Sequence, residues 1–393
     1  MTAERRVLLG FIALYAALFG AFGLYSPFLP ALLTERGLAP EQLGLLLGAA
    51  TVLRLACGPI AGRMADRFQI FRAELAAWPI LAASAGVLYL ATPGFWTVVA
   101  VSLFQAATLA PLVPLADALS LAHARPREQN TKGFEYGWVR GAGSAAFIAG
   151  TLVAGHVTGD WGLSAIIWLS GAALLAVPVA ASLVPAFPAR VRPSAEIAHR
   201  PWLTLLRQRA FVHVTLVGAF VLGSHAMYDS FAVVRWTQAG ISTATISVLW
   251  SVSVAAEVLV FLFLGPRLLR TLKPSIALVV AALCGLVRWA VLAQTADVAA
   301  LALVQPLHGF TFALLYLASM NIITDTVPRA LAATAQAVYS LVGVGGTTAV
   351  LILLSGWLYA RFGPAGFWAM GVLCIAAFPF IWLLHRIPVA RAG

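Results

Sequence analysis

Long apolar segments recur along the whole 393-residue chain, and they constrain the fold more than any motif does. Hydrophobic residues make up 61% of the sequence and charged residues 10%, whereas a soluble domain has roughly 25% charged residues. A run of roughly 20 apolar residues crosses a bilayer as an α-helix, because a helix satisfies its own backbone polar groups. The sequence therefore predicts an all-α membrane protein.

Twelve such runs predict twelve transmembrane helices in two pseudo-symmetric six-helix bundles. A polar connection rich in proline and arginine follows the sixth run, and Gly58-Pro59 and Gly265-Pro266 end the second and eighth runs alike. We expect an N-terminal bundle over 1–184, a cytoplasmic linker over 185–210 and a C-terminal bundle over 211–393. The helices are placed at 7–33, 41–62, 73–92, 96–122, 134–156, 161–184, 211–235, 243–265, 275–293, 299–322, 331–360 and 365–385.

The formal net charge of +11 comes from lysines and arginines that lie in alternate connections. Their clusters fall at 63–72, 125–132, 190–209 and 267–273, whereas the opposite connections carry Arg36, Arg235 and Arg361. Because cytoplasmic loops carry the excess of Lys and Arg, we predict two cytoplasmic termini in a multi-pass protein of the bacterial inner membrane. The basic residues thus indicate a lipid bilayer as partner and no nucleic acid.

The sequence contains no pattern typical of an enzyme or a metal site. We find no GxSxG, HExxH, P-loop or CxxC motif, and Cys57, Cys284 and Cys374 all fall inside predicted spans. The cysteine spacing suits neither a disulfide framework nor a metal. We therefore expect no enzyme activity, no cofactor and no metal.

A set of ionisable side chains lies within the apolar spans, where each charge costs several kcal/mol and so needs a reason. Asp117 and Arg140 have similar depth on consecutive antiparallel helices, which predicts an ion pair that either locks two helices together or binds a solute. In the second half, a buried Glu257 near a cation could gain or lose a proton as its surroundings change. The full set is Arg54, Asp117, Arg140, Asp229, Glu257, Arg288 and His308, with His225 as a weaker member.

Six segments resemble the lactose-permease branch of the major facilitator superfamily, and in particular its phenylpropionate permeases and nucleoside–proton symporters. They are AFGLYSPFLPALL (21–33), GRMADR (62–67), PLAD (114–117), FEYGWVRGAG (134–143), AAEVLVFLFLGP (255–266) and QPLHGF (305–310). The resemblance implies two bundles with a solute site between them near mid-membrane. In the loop signature between helices two and three, Gln69, Ile70 and Phe71 replace the usual glycine and basic residues.

The resemblance also implies roles for the intramembrane charges. Asp117 and Arg140 match the family's substrate-binding acid and base, and Glu257 matches the glutamate that binds sugar and couples it to a proton. Arg288, His308 and Asp229 match residues of proton coupling, although the lysine partner of that aspartate is replaced near Val344. Thr311 stands where lactose permease has its proton-carrying glutamate, so Glu257 or Asp117 must take the proton here.

The planar guanidinium of Arg140 suits a carboxylate, and Arg54 offers a second cation. The rings of Tyr25 and Trp138 could stack on an aromatic solute, although such rings also pack at bilayer interfaces. These residues predict a monomeric proton symporter that imports a small organic solute, with an aromatic carboxylate of phenylpropionate type as first choice. The alternatives are a nucleoside or sugar symporter, a drug efflux antiporter and a non-transporting receptor with the same fold.

Overall fold

The structure, a computed structural model, describes residues 3–91, 94–124, 134–186, 201–328 and 331–387. Most of the predicted linker and the basic cluster at 125–132 lie outside these residues. The described chain is built from α-helices with short 3₁₀ and π segments. The predicted all-α class is confirmed.

The described residues of the first half contain eight helices, and a ninth lies inside the region predicted as linker. They are α1 (Ala3–Tyr25), α2 (Leu29–Glu35), α3 (Pro40–Phe68), α4 (Phe71–Ala91), α5 (Phe95–Leu109), α6 (Leu112–Ala124), α7 (Tyr136–Trp161), α8 (Ala165–Leu183) and α9 (Pro201–Leu206).

The described residues of the second half contain ten helices, five of which adjoin a π-helical segment. They are α10 (Arg209–Gly223), α11 (Ala226–Gln238), α12 (Thr243–Leu259), α13 (Gly265–Thr271), α14 (Pro274–Gln294), α15 (Val298–Val304), α16 (Leu315–Thr326), α17 (Ala332–Ala337), α18 (Thr347–Phe362) and α19 (Phe367–Arg386). The π segments are Val260–Leu264, Phe310–Leu314 and Val338–Gly346, and a 3₁₀ turn covers Gln305–Leu307.

Ten helical stretches of the described residues are long and apolar enough to cross a membrane. The last of them, Thr334–Arg386, has 53 residues and contains the chain reversal at Gly363, whose φ is +54°. The 26-residue helix α7 is not among the ten. The count of twelve helices and the cytoplasmic position of the termini remain predictions.

Several predicted spans are interrupted in the structure, and proline explains two of the interruptions. The span 7–33 breaks between α1 and α2 around Pro27, and the span 96–122 breaks between α5 and α6 at Pro111. Proline lacks the N–H that a continuous helix needs, and its ring crowds the preceding turn. Arg5–Glu35 and Phe95–Ala124 are nevertheless single candidate membrane spans, so each proline interrupts a helix within its span.

The segment GRMADR was predicted to be a loop but forms the last turns of α3, which continues to Phe68. The chain turns at Gln69, which has a φ of +57°. Among the described residues, Gln69 is the one residue other than glycine that has a positive φ. The family signature has a glycine there, a residue that adopts this conformation without steric cost. The Gln69 side chain donates to the Asp66 carbonyl at 2.7 Å, which helps to hold the turn.

Contacts divide the chain into two compact units, each with its own packing. Unit 1 comprises Met1–Leu38, Ala49–Arg192 and Ser242–Ser251, and unit 2 comprises Ala39–Gly48, Pro193–Ile241 and Val252–Gly393. In unit 1, α1 packs on α7 and α8, and α4 packs on α8. In unit 2, α14 and α10 both pack on α19. The division at 185–210 that we predicted from sequence remains a prediction.

Helices α1 and α7 of unit 1 approach closely at Gly150. A Cβ atom placed there would lie 2.5 Å from the Gly20 carbonyl oxygen and 3.1 Å from the Leu24 nitrogen. Small residues allow such backbone contact between membrane helices, where no hydrophobic force drives the helices together. The position of α7 against α1 therefore depends on this glycine.

We expect Gly150→Ala to destabilise the protein by about 1–3 kcal/mol, because neither backbone atom can move without shifting a helix. The measurement is thermal unfolding of the purified protein in detergent, with a fall in Tm of about 2 °C or more. Gly141→Ala is the matched control on α7, since a Cβ there meets no atom within 4 Å. Equal melting temperatures for the two variants would contradict the packing account.

Candidate functional site

Three aromatic residues of α1 form a ladder along one side of that helix in unit 1. The rings of Tyr15 and Phe19 stack with centroids 5.7 Å apart, and Phe19 meets Phe22 edge-on at 6.2 Å. The spacings of four and three residues place all three side chains on one helix face. Tyr136 of α7 adds a fourth ring, edge-on to Tyr15 at 6.5 Å. We call these four residues the aromatic ladder.

Arg140 lies on the aromatic ladder. Its guanidinium carbon is 4.5 Å from the centroid of the Phe19 ring, and the side chain is exposed. A guanidinium stacked on an aromatic face keeps the N–H groups of its edge available for an acceptor. Arg140 therefore presents a fixed, accessible fork of donors beside an aromatic surface.

The Asp117 carboxylate is held by two tyrosines. Oδ1 accepts hydrogen bonds from the hydroxyls of Tyr15 and of Tyr136, the latter at 2.8 Å. Tyr15 also lies 2.9 Å from the Ser120 hydroxyl. Although Asp117 and Arg140 both lie in the described part of the chain, they form no ion pair with each other there, so that prediction was wrong. The Asp117 carboxylate accepts hydrogen bonds from tyrosine hydroxyls instead, and the Arg140 guanidinium stacks on the Phe19 ring.

Among the other residues predicted for solute binding in the first half, Tyr25 lines a small cavity together with Phe22 of the aromatic ladder. Trp138 is 67% exposed and lies two residues from Arg140, which is about 200° around an α-helix. Tyr25 is buried and donates to Gln105 Oε1. Arg54 is exposed on α3 and donates to Thr51 Oγ1 at 3.1 Å.

In unit 2, Arg288 is completely buried in α14 and donates to a ring of neutral acceptors. Its Nη1 lies 3.2 Å from each of His225 Nε2, His308 Nδ1 and Thr311 Oγ1, and its Nη2 lies 3.4 Å from Gln305 Oε1. Its guanidinium carbon is 4.9 Å from the centroid of the Tyr228 ring. Two helix interruptions place these acceptors, since His225 separates α10 from α11 and Gln305 begins the 3₁₀ turn.

His308 links Arg288 to Glu257 of α12. Since an arginine can only donate, His308 Nδ1 accepts from Arg288, and the ring proton of the neutral imidazole must be on Nε2. That Nε2 lies 3.4 Å from Glu257 Oε2, and the side chains of His308 and Glu257 are 13% and 29% exposed. The predicted neighbourhood of Glu257, Arg288 and His308 is therefore observed. Asp229 is exposed on α11 and lies near enough to Arg288 to interact electrostatically.

The backbone at Gly309 brings the helix of His308 against the helix of Glu257. A Cβ placed on Gly309 would lie 2.6 Å from the Ala256 carbonyl oxygen and 2.7 Å from Val260 Cγ2. The π segments Val260–Leu264 and Phe310–Leu314 begin immediately after this contact. Such bulges are frequent at functional sites because they re-aim the side chains around them.

Sequence reasoning missed several members of both groups. Phe19 of the aromatic ladder could have been found from the spacing of Tyr15, Phe19 and Phe22, which is that of one helix face. Gln305 lies inside a family motif but was not singled out, and His225 ranked below the other ionisable residues. Their part in binding Arg288 depends on the helix interruptions, for which the hydropathy pattern gives no signal.

An all-α chain with ionisable groups held inside apolar helices is typical of a membrane transporter. The pattern of the family described as "MFS_1 like family" matches residues 9–370. The "Probable 3-phenylpropionic acid transporter" of Escherichia coli (strain K12) is 33% identical over 380 residues, which cover 92% of this chain and 94% of that protein. The "Maltose permease" of Geobacillus stearothermophilus is 25% identical over 381 residues, which cover 96% and 94%.

A solved structure shows the same fold. The crystal structure of nucleoside transporter NupG has a TM-score of 0.78 at 15% sequence identity, covering 96% of this chain and 98% of that chain. The chain belongs to the MFS_1 like family and is a transporter of the major facilitator superfamily. The expected family and the expected multi-pass location in the inner membrane are confirmed.

Proposed function

We propose that the protein is a proton-coupled symporter that imports a small aromatic carboxylate of the 3-phenylpropionate type. The observation that carries the proposal is the exposed guanidinium of Arg140, which is stacked on Phe19 of the aromatic ladder. The Escherichia coli relative that is 33% identical is a probable 3-phenylpropionic acid transporter, which supports the same substrate class here.

Arg140 and the aromatic ladder suit the two ends of such a solute. A guanidinium donates two parallel hydrogen bonds to a carboxylate, which fixes both position and orientation. The flat phenyl group gains by stacking or edge contact with the rings beside the arginine. Asp117 does not compete for Arg140, because Tyr15 and Tyr136 bind it. Its role in this proposal is to hold those two rings in place.

Proton coupling is assigned to the pair of Glu257 and His308. The imidazole N–H points at a partly exposed carboxylate, so the pair can receive a proton from water. Binding a proton there changes the charge of unit 2 and biases the carrier between its conformations. The charge on Arg288 does not change, because guanidinium stays protonated at all physiological pH values.

A sugar is the second candidate, because the maltose permease is 25% identical over nearly the whole chain. Sugar hydroxyls would bind carboxylates such as Asp117 and Glu257. They would depend less on the Arg140 guanidinium than a carboxylate does. Substitution of Arg140 should therefore lower uptake of a carboxylate more than uptake of a sugar.

We expect Arg140→Ala to lower the initial rate of 3-phenylpropionate uptake into proteoliposomes at least about 10-fold, since a charge-assisted hydrogen bond contributes about 1.5–3 kcal/mol. Arg386→Ala is the control, because Arg386 also stacks on an aromatic ring, 3.5 Å from Trp382, but lies at the end of α19. The control should transport like the wild type. Undiminished uptake by Arg140→Ala would remove this residue from the mechanism.

A further inference from the structure

We propose that His225 and Thr311 act as spare acceptors for Nη1 of Arg288, which allow His308 to take up a proton without leaving a hydrogen of that buried nitrogen unbonded. The proposal rests on the proton coupling at Glu257 and His308 that is proposed above. It assigns His225 and Thr311 as positioning residues, and Thr311 stands at the place where the family resemblance puts a glutamate.

Nη1 of Arg288 has more acceptors within hydrogen-bond distance than it has hydrogens to donate. Nη1 carries two hydrogens, yet three acceptors lie at 3.2 Å: His225 Nε2, His308 Nδ1 and Thr311 Oγ1. At any moment one of the three is therefore not used by Nη1. A buried donor that loses its acceptor is costly, so a third acceptor provides a replacement.

The hydroxyl of Thr311 can adapt to either arrangement. It lies 3.0 Å from His225 Nε2 and 3.1 Å from the His308 carbonyl oxygen, and its single hydrogen can be given to either atom. When Arg288 donates to His308 and Thr311, the hydroxyl can donate to His225. When Arg288 donates to His225 and Thr311, the hydroxyl can donate to the carbonyl. Both arrangements leave every hydrogen of Nη1 bonded.

His225 is fixed as an acceptor toward Arg288. Its Nδ1 lies 3.2 Å from the Val221 carbonyl oxygen and 3.1 Å from that of Leu222, and carbonyls only accept. The ring hydrogen is therefore on Nδ1, and Nε2 faces Arg288 as a bare acceptor. The side chain is 5% exposed, at the interruption between α10 and α11.

Proton uptake by His308 requires the additional acceptors, His225 and Thr311. A proton from water adds to Nδ1, the ring becomes an imidazolium paired with Glu257, and Nδ1 can no longer accept from Arg288. Repulsion between the two adjacent cations then moves the guanidinium hydrogens to His225 and Thr311. Two charged groups lie next to His308: Glu257 on α12 and Arg288 on α14. The other titratable groups nearby are His225, which precedes α11, Tyr228 and Asp229 of α11, and Cys284 and Cys374 beside Arg288.

The test is the pH dependence of 3-phenylpropionate uptake by proteoliposomes between pH 5.5 and 8.5, corrected for protein-free liposomes. His225→Phe keeps a ring but removes the acceptor, so protonated His308 leaves one Arg288 hydrogen without a partner. We expect the pH midpoint of uptake to move about one unit or more toward acid. His225→Gln retains an acceptor and should restore the midpoint.

Thr311→Val removes the other spare acceptor and gives an independent test should His225→Phe fail to fold. It should shift the midpoint in the same direction, whereas Thr311→Ser should not. His213→Phe is the control on α10, because His213 packs on Phe380 outside this group. Unchanged midpoints in His225→Phe and Thr311→Val would overturn the inference. Uptake by the wild type that does not depend on pH would instead refute the proposed proton coupling.

Discussion

Replacing Arg288 by methionine is expected to reduce 3-phenylpropionate uptake about 100-fold or more. Arg288 holds His308 in the orientation that faces Glu257, and four side-chain acceptors lie within hydrogen-bond distance of its Nη1 and Nη2. Each hydrogen bond to a charged group contributes about 1.5–3 kcal/mol, and two of them correspond to at least a 100-fold change in rate. The measurement is initial uptake under an inward proton gradient.

Arg288→Lys should also retain less than about a tenth of the wild-type rate. A lysine ammonium is a single point and cannot reproduce the two ends of the guanidinium fork. Arg361→Met is the control, since Arg361 is exposed in the last turn of α18. Size-exclusion chromatography in detergent separates loss of transport from loss of folding. A folded Arg288→Met protein with more than half of the wild-type uptake would contradict the role assigned to this arginine.

Replacing Glu257 by glutamine is expected to abolish accumulation of the solute while exchange of solute across the membrane continues. Glutamine keeps the size of the side chain and an oxygen acceptor for His308, but it cannot bind a proton at physiological pH. Accumulation needs the proton, whereas exchange of internal unlabelled for external labelled solute needs only the loaded carrier. We expect accumulation to fall at least about 10-fold relative to exchange.

The two rates are measured on the same preparation of proteoliposomes, which removes differences in the amount of protein inserted. Glu41→Gln is the control, because Glu41 is exposed in the first turn of α3. Equal losses of accumulation and exchange in Glu257→Gln would place this glutamate in solute binding. Unchanged accumulation would remove it from the coupling mechanism.

Sequence predicted the fold class because the bilayer imposes a strict rule on spans. Each crossing requires an apolar stretch of fixed length, and that length can be read from hydropathy alone. The interruptions of the helices could be predicted only where proline caused them, as at Pro27 and Pro111. The interruption at His225 has no proline, and the imidazole there bonds to carbonyls of the preceding turn, a competition that hydropathy does not report.

Part of the candidate site could be predicted from the depth of each residue within its span. Depth along the helices correctly grouped Glu257, Arg288 and His308, because each lies near the middle of its span. Depth carries no information on rotation about the helix axis, so it suggested a pair of Asp117 with Arg140. The structure gives Asp117 two tyrosine hydroxyls and gives Arg140 the ring of Phe19.

Exchange across the membrane shows whether the solute carboxylate is the group that the carrier recognises. Proteoliposomes loaded with unlabelled 3-phenylpropionate are placed in labelled 3-phenylpropionate or labelled 3-phenylpropionamide at pH 7.5, and protein-free liposomes are subtracted. Recognition of the carboxylate by Arg140 should give rapid exchange of the acid and at least about 10-fold slower entry of the amide, which has the same ring but no charge for Arg140. Acid exchange no faster than in protein-free liposomes, or equal exchange of acid and amide, would contradict it.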